Sequence, residues 1–328
     1  DDMTDEITDG LSLDALRERI DALDAELQGL LNHRAELAQA VARVKRADSP
    51  EAEPAFYRPE REAQVLRRIK ARNTGPMDAE EVARIFREVM SACLALEQPL
   101  QIAYLGPPGT FTQAAALKHF GHAVGTLPLP SIPDVFREVE SGNCDYGVVP
   151  VENSTEGVVS HTLDMFLQSP LVICGEVMLR IHHHLLRARA DTQGLRCVYS
   201  HQQSLAQCRS WLARHLPGVE LVPVASNAEA ARLASEQADT AAIAGEMAGE
   251  AYQLSSLYRN IEDEPGNTTR FLVIGRPRFA ASGHDRTSLL VSTQNIAGGL
   301  QRLLAPLATH GISMTRIESR PSGRGAWD

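Results

Sequence analysis

The chain has 328 residues and a net charge of −10, too long for a single core and too acidic for a general nucleic-acid or anionic-membrane binder. Hydrophobic content of 43% and charged content of 23% are ordinary for a soluble globular protein, so two or three domains are expected. Five scattered cysteines (Cys93, Cys144, Cys174, Cys197, Cys208) form no CxxC pair and no metal-like spacing with histidine, which reads as reduced thiols in a cytoplasmic protein. The acidic start DDMTDEITDG is not a signal peptide, and no apolar run approaches membrane-spanning length.

Residues up to about 98 read as helical throughout. Alternating steps of three and four from Leu13 meet Leu16, Ile20, Leu23, Leu27, Leu30, Arg34, Leu37, Val41 and Val44, an apolar seam broken once by a guanidinium. The seam runs from about residue 11 to 46, roughly 54 Å of helix, which cannot bury its own stripe. Arg34 is either a polar residue that fixes helix register or a clamp for an anion. Lys45, eleven residues on, shares its face, whereas Arg17, seventeen back, points about 100° away and is able to reach another helix or subunit. Pro50, Pro54 and Pro59 mark a break before a second helix (about 59–71) with Arg61 and Glu62. The turn NTGP leads to a third (about 78–96), near whose end Cys93 and Glu97 lie four apart. Three helices of such unequal length suggest an intertwined dimer, and several cations aimed into a bundle suit an anion with more than one carboxylate.

From Gln101 strands alternate with helices. QIAYL, the turn GPPGT and FTQAAALKHF form one unit; RCVYS and HQQSLAQCRSWL form another, and each is followed by a similar strand–helix–strand sequel. Two similar α/β lobes with a cleft between them are expected, with ligands outside the carboxyl ends of the strands. There stand Thr110, at a helix N-terminus that favours an anion, and Asn153 and Ser154 in VVPVENSTEG. Ser200 and Gln203 in SHQQSLAQC have capping-box spacing, so capping is the stronger single reading of Ser200. GNTTRFLVIG is the least bland stretch, because Asn267 to Arg270 feed directly into an apolar strand. In HHH (182–184), read as a strand, His182 and His184 share a face opposite His183; with no third ligand nearby, metal binding is the weaker reading. From Arg286 follow TSLLVST (strand), IAGGLQRLLAPLATHG (helix) and ISMTRIESR (strand), too little to close a core alone.

The stretch LRERIDALDAELQGLLNHRAELAQAVARVK, with RPERE and the third helix, resembles the all-helical chorismate mutases. The resemblance implies that Arg17, Arg34, Lys45, Arg61 and Glu62 hold a dicarboxylate, with Arg17 crossing from a partner chain. Cys93 and Glu97 are expected at the same site, Glu97 standing where some members carry glutamine. Chorismate would rearrange there without nucleophile or proton shuttle, through positioning and cationic stabilisation of the breaking ether oxygen. The blocks from GPPGTFTQAAA to GNTTRFLVIG together resemble prephenate dehydratase. That implies Thr269 as donor to the departing ring hydroxyl, Arg270, Asn153, Ser200 and Gln207 as binders of carboxylates and carbonyl, and Phe271 near the ring, with Thr110, Ser154 and Asn267 also at the substrate. The last segment resembles an ACT domain. Gly298 and Leu300 in NIAGGL fall in its ligand-loop motif, and Glu318, Ser319, Arg320 and Pro321 in its phenylalanine-site motif.

The expected fold class is multidomain: an all-α mutase domain (1–98), a two-lobed, periplasmic-binding-protein-like α/β dehydratase domain (101–279), and part of an α+β ACT domain (286–328). A bifunctional chorismate mutase/prephenate dehydratase of this kind needs no cofactor or metal, takes chorismate and prephenate, and answers to L-phenylalanine. Because the ACT-like unit is incomplete, weak or absent phenylalanine inhibition is expected. A dehydratase preferring arogenate, and a non-catalytic amino-acid sensor, are the alternatives; the cation set and TTRF argue against a pure sensor.

Overall fold

A computed structural model describes residues 12–48, 56–293 and 296–321. They divide into two units, residues 1–99 with 120–124, and residues 100–119 with 125–328. The breaks expected at Pro50 and Pro54 lie outside the described residues.

The first unit is built on three helices, α1 (Leu13–Asp48), α2 (Pro59–Arg72) and α3 (Ala79–Glu97). Pro59 opens α2, where a missing N–H costs nothing, and Asp78 caps α3 by accepting from the Glu80 N–H at 2.8 Å. Leu66 and Ile69 of α2 bury against Ala83 of α3, with Val65, Val82, Phe86 and Met90 around them. By contrast, eight of the nine apolar seam residues of α1 are exposed in the single chain, Leu30 by 65%. Each such side chain left in water forgoes about 1.5–3 kcal/mol of burial.

The second unit has two lobes. The first lobe contains β1 (Gln101–Leu105), α4 (Phe111–Phe120), β2 (Gly125–Leu129), α5 (Ile132–Glu140), β3 (Tyr146–Asn153), β4 (Gly157–Val158), α6 (Ser160–Met165) and β5 (Val172–Arg180). The second contains β6 (His184–Arg187), β7 (Cys197–His201), α7 (Gln202–Gln207), α8 (Arg209–His215), β8 (Glu220–Val224), α9 (Asn227–Glu236), β9 (Thr240–Ala244), α10 (Glu246–Ala251) and β10 (Ser255–Tyr258). The chain then returns to the first lobe as β11 (Thr268–Gly275), so the sheets run β2-β1-β3-β11-β5, with β4 on β3, and β10-β6-β9-β7-β8. Strands β1, β2 and β3 are parallel, while β11 lies antiparallel between β3 and β5.

Two crossovers therefore join the lobes, residues 181–183 outward and 259–267 back. They are bonded to each other, Ile181 N–H to Asn267 C=O and Ile261 N–H to His183 C=O, both at 2.8 Å. In the first lobe Ser131 caps α5, whose Val135, Phe136 and Val139 pack on Ala103, Val149, Leu272 and Ile274. Gly147 is required there, since a Cβ would stand 2.8 Å from Val135 Cγ1. In the second lobe the wholly buried strand TAAIA packs against the alanine face of α9.

Two expectations need correction. TSLLVST and ISMTRIESR form no strands, because neither finds a ladder partner among the described residues; of the ACT-like unit only α11 (Gly299–Thr309) is regular. In the histidine run only His184 is in a strand, because 181–183 belong to the crossover.

Candidate active sites

In the first unit a cavity of about 380 Å³ is lined by Arg34, Lys45, Arg61, Glu62, Cys93 and Glu97 together with apolar side chains. The structure thus brings six of the seven residues expected there to one place. Arg17 is apart, largely exposed on the first turns of α1 and paired with Asp14 at 3.5 Å. Arg34 and Lys45 reach the cavity from one face of α1, as their eleven-residue spacing requires. Arg58 and the rings of Phe56 and Tyr57 also line it, residues that sequence reasoning missed although they adjoin RPERE. Lys45 Nζ stands 5.2 Å from the Phe56 ring centroid, a cation–π distance.

Two carboxyl groups have unusual proton affinity. Burial pushes Glu62 up to about 7, partly opposed by the Arg87 guanidinium, whose Nε is 3.7 Å from Glu62 Oε1. Burial also raises Glu97, against the lowering influence of Lys45, Arg34 and Arg46. The described lining contains no histidine and carries four cations, Arg34, Lys45, Arg58 and Arg61, so the cavity is equipped to hold and polarise an anion.

In the second unit the end of β3 and the start of β11 meet at one sheet edge, where Thr269 pairs with Asn153. Asn153 Oδ1 accepts from the backbone N–H groups of Thr155 (2.9 Å) and Glu156 (3.1 Å). Its Nδ2 donates to Thr269 Oγ1 and to Asn267 Oδ1, each at 2.8 Å. Asn267 Nδ2 in turn donates to Gln207 Oε1 at 3.2 Å. Ser154 Oγ accepts from the Thr268 N–H at 2.9 Å and lies 3.4 Å from Asn267 Oδ1. One network therefore runs from the first lobe through the return crossover to the second lobe. Thr269 is 8% exposed, and among the described residues no acceptor takes its hydroxyl proton.

Other expected members stand elsewhere. Thr110 Oγ1 donates to Leu105 C=O at 3.0 Å beside the N-terminus of α4. Phe271 follows Thr269 on the same strand face, only 2% exposed within the core. Arg270 points to the opposite face and pairs with Glu176, Nη2 to Oε2 at 2.7 Å. Ser200 is not a helix cap: α7 starts at Gln202 with His201 as N-cap. The Ser200 side chain is 0% exposed, its hydroxyl 2.7 Å from Ile243 C=O and 2.9 Å from Asn227 Oδ1.

Among the ACT-like residues, Gly298 is the left-handed N-cap of α11 and Leu300 is exposed beside it. Further on, Arg316 pairs with Glu152 and with Glu318, and Arg320 with Asp164 at 2.7 Å, so this segment lies along the first lobe. Glu318, Ser319 and Pro321 are exposed there. Among the described residues no cluster of three metal-competent side chains forms, and no helix is long and apolar enough to cross a membrane.

A helical cavity lined by cations, and a two-lobed α/β unit whose lobes are joined by a polar network through Thr269, Asn153, Asn267 and Gln207, define an enzyme with two differently equipped sites. Residues 16–98 match the chorismate mutase type II family and residues 102–278 the prephenate dehydratase family. The chain belongs to the bifunctional chorismate mutase/prephenate dehydratases. It is 58% identical over 317 residues, 96% of this chain and 87% of the relative, to the bifunctional chorismate mutase/prephenate dehydratase of Pseudomonas aeruginosa. The structure of prephenate dehydratase in complex with L-Phe from Arthrobacter aurescens is similar, with a TM-score of 0.60 and 31% identity over 68% of this chain and 76% of that one. GqqA, described as a novel type of quorum quenching acylase, has a TM-score of 0.57 and 28% identity over 67% of this chain and 81% of its own.

Proposed function

We propose that the chain converts chorismate to prephenate in residues 1–98 and prephenate to phenylpyruvate in residues 101–279, as consecutive steps of L-phenylalanine biosynthesis. The observation that carries this reading is the separation of two differently equipped sites within one chain: cations around an apolar cavity, and a hydroxyl held in a polar cleft.

In the mutase cavity Arg34, Lys45 and Arg61 hold the two carboxylates and the ether oxygen, folding chorismate into the compact conformer from which it rearranges. Glu97, protonated, donates to that oxygen as the C–O bond breaks. Arg17 is supplied by a second copy, since the exposed seam of α1 supports a homodimer in which two long helices cover each other.

In the cleft, the ring C–O and carboxyl C–C bonds of prephenate break together. The electron pair of the C–C bond enters the ring, carbon dioxide leaves, and the hydroxyl departs as water on a proton delivered through Thr269. Asn153 occupies a lone pair of Thr269 Oγ1 and so frees its O–H for that donation. Gln207 binds a substrate oxygen through its amide N–H groups, while Asn153, whose two amide N–H groups are taken by Thr269 and Asn267, acts on the substrate through Thr269. Ser200 and Arg270 act only if the lobes rearrange around the substrate. L-phenylalanine is the effector, a reading supported by the bound L-Phe of the Arthrobacter relative, with residues 286–328 as the sensing segment. Unpaired thiols suit a cytoplasmic location. Supplying prephenate and following phenylpyruvate tests the second reaction apart from the first; absence of phenylpyruvate would refute the assignment of the cleft.

A further inference from the structure

The three-histidine run separates into three different environments. His182 Nδ1 lies 2.7 Å from Glu262 Oε1, and His184 Nδ1 accepts from the Asn260 N–H at 3.1 Å. His183, 2% exposed in the outward crossover, has Nε2 2.8 Å from Gln207 Oε1. Its backbone N–H donates to Glu262 Oε2 at 3.0 Å and its carbonyl accepts from Ile261, so the crossovers fix its place. Phe111 meets the ring edge-on with centroids 6.0 Å apart.

The direction of each bond leading to His183 follows from its neighbours. The backbone N–H groups of Thr155 and Glu156 can only donate, which makes Asn153 Oδ1 the acceptor and Nδ2 the donor. Asn267 therefore receives on Oδ1 and donates from Nδ2 to Gln207 Oε1. That oxygen has no proton to give, so the proton between it and His183 sits on His183 Nε2. The other ring nitrogen, Nδ1, is buried without a partner. Protonating it would bury an N–H with no acceptor, and burial likewise lowers the proton affinity of the ring.

We infer that His183 is a positioning residue for the dehydration, a neutral Nε2–H imidazole that holds the Gln207 carbonyl and turns the Gln207 amide N–H groups toward the cleft. The inference rests on the dehydratase reading of the cleft. Gln207 is half-buried, and among the described residues its amide is otherwise oriented only by the longer bond from Asn267. Loss of the His183 donor leaves that amide free to turn over, presenting a carbonyl where substrate oxygens need a donor.

The test uses the full chain, with mutase activity as the internal measure of folding. His183→Phe keeps the ring and removes the donor; we expect the KM for prephenate to rise about tenfold, the loss of one hydrogen bond, with a smaller change in kcat. His183→Gln places an amide N–H near the lost Nε2–H and should recover most of that loss. In a Gln207→Ala background, His183→Phe should add nothing, because its effect passes through Gln207. An unchanged KM in His183→Phe, or an equal further loss in the Gln207→Ala background, overturns the inference. Imidazole ¹⁵N shifts supply a readout free of activity: the neutral Nε2–H tautomer is expected at pH 6, and an Nδ1–H tautomer or an imidazolium contradicts it. A wild-type chain that makes no phenylpyruvate from prephenate would instead refute the reading of the cleft, while the ¹⁵N shifts still decide the tautomer.

Discussion

Asn153 and Thr269 face each other across the β3–β11 ladder, with Asn153 Nδ2 2.8 Å from Thr269 Oγ1. An amide nitrogen can only donate, so the pair leaves Thr269 its proton. Thr269→Ala should lower dehydratase kcat by about 10²–10³-fold with little change in KM, as for loss of an acid acting in the transition state. Thr269→Ser should retain part of the rate. Asn153→Asp is the sharper probe: a carboxylate accepts the Thr269 proton and withdraws it from the leaving hydroxyl, so kcat should fall although the side-chain volume is kept. Steady-state kinetics on prephenate decide both, and equal rates for Asn153→Asp and wild type would remove Asn153 from this role.

Much of this arrangement was legible in the sequence. The three-four periodicity of residues 13–44 identified α1, and the eleven-residue spacing placed Arg34 and Lys45 at one cavity. The alternation from Gln101 located β1, α4, β2, α5 and β3, because parallel strands with crossover helices leave a strong pattern. Strands β5 and β10 were not legible, and only the start of β6 was, since their identity depends on antiparallel partners far along the chain. Ser200 shows the limit of local reasoning. Its capping spacing was genuine, yet Asn227 and Ile243, distant in sequence, claim its hydroxyl and His201 caps the helix instead. Arg270 likewise sits in a conspicuous polar run, but strand alternation turns it away from Thr269 to Glu176.

Glu97 has its carboxyl raised by burial despite three nearby cations. With its protonated form as the proposed donor, mutase activity should fall as pH rises through its pKa, while dehydratase activity keeps a separate profile. Glu97→Gln donates at every pH and should flatten the alkaline decline. Superimposable mutase profiles for the two proteins would place Glu97 away from the ether oxygen.

Burial pushes the Glu62 carboxyl up to about 7, against the lowering influence of the Arg87 guanidinium on α3. Removing that cation in Arg87→Ala should move the Glu62 carboxyl above 7, read directly from its ¹³C carboxyl shift against pH. A downward move would show that Arg87 does not act on Glu62.

The exposed seam of α1 yields an assembly prediction. Leu27→Glu with Leu30→Glu should give a monomer by sedimentation, since two carboxylates cannot be buried in a helix–helix seam. Mutase activity should vanish with the partner's arginine, and dehydratase activity on added prephenate should survive. A fully active monomeric mutase would contradict the shared site.

Arg34 is a cation in an apolar seam that lines the helical cavity, and substrate is its proposed partner. Arg34→Ala should lower mutase turnover roughly 10²-fold or more. Arg34→Leu should do the same, whereas a mere register device would tolerate leucine. The most direct measurement is to give the purified chain chorismate and follow chorismate, prephenate and phenylpyruvate with time. Wild type should pass through prephenate to phenylpyruvate, Thr269→Ala should stop at prephenate, and Arg34→Ala should leave chorismate unchanged yet convert added prephenate. Wild type that leaves chorismate untouched, or an Arg34→Ala chain that is folded but unable to convert added prephenate, would contradict two separate sites acting in sequence.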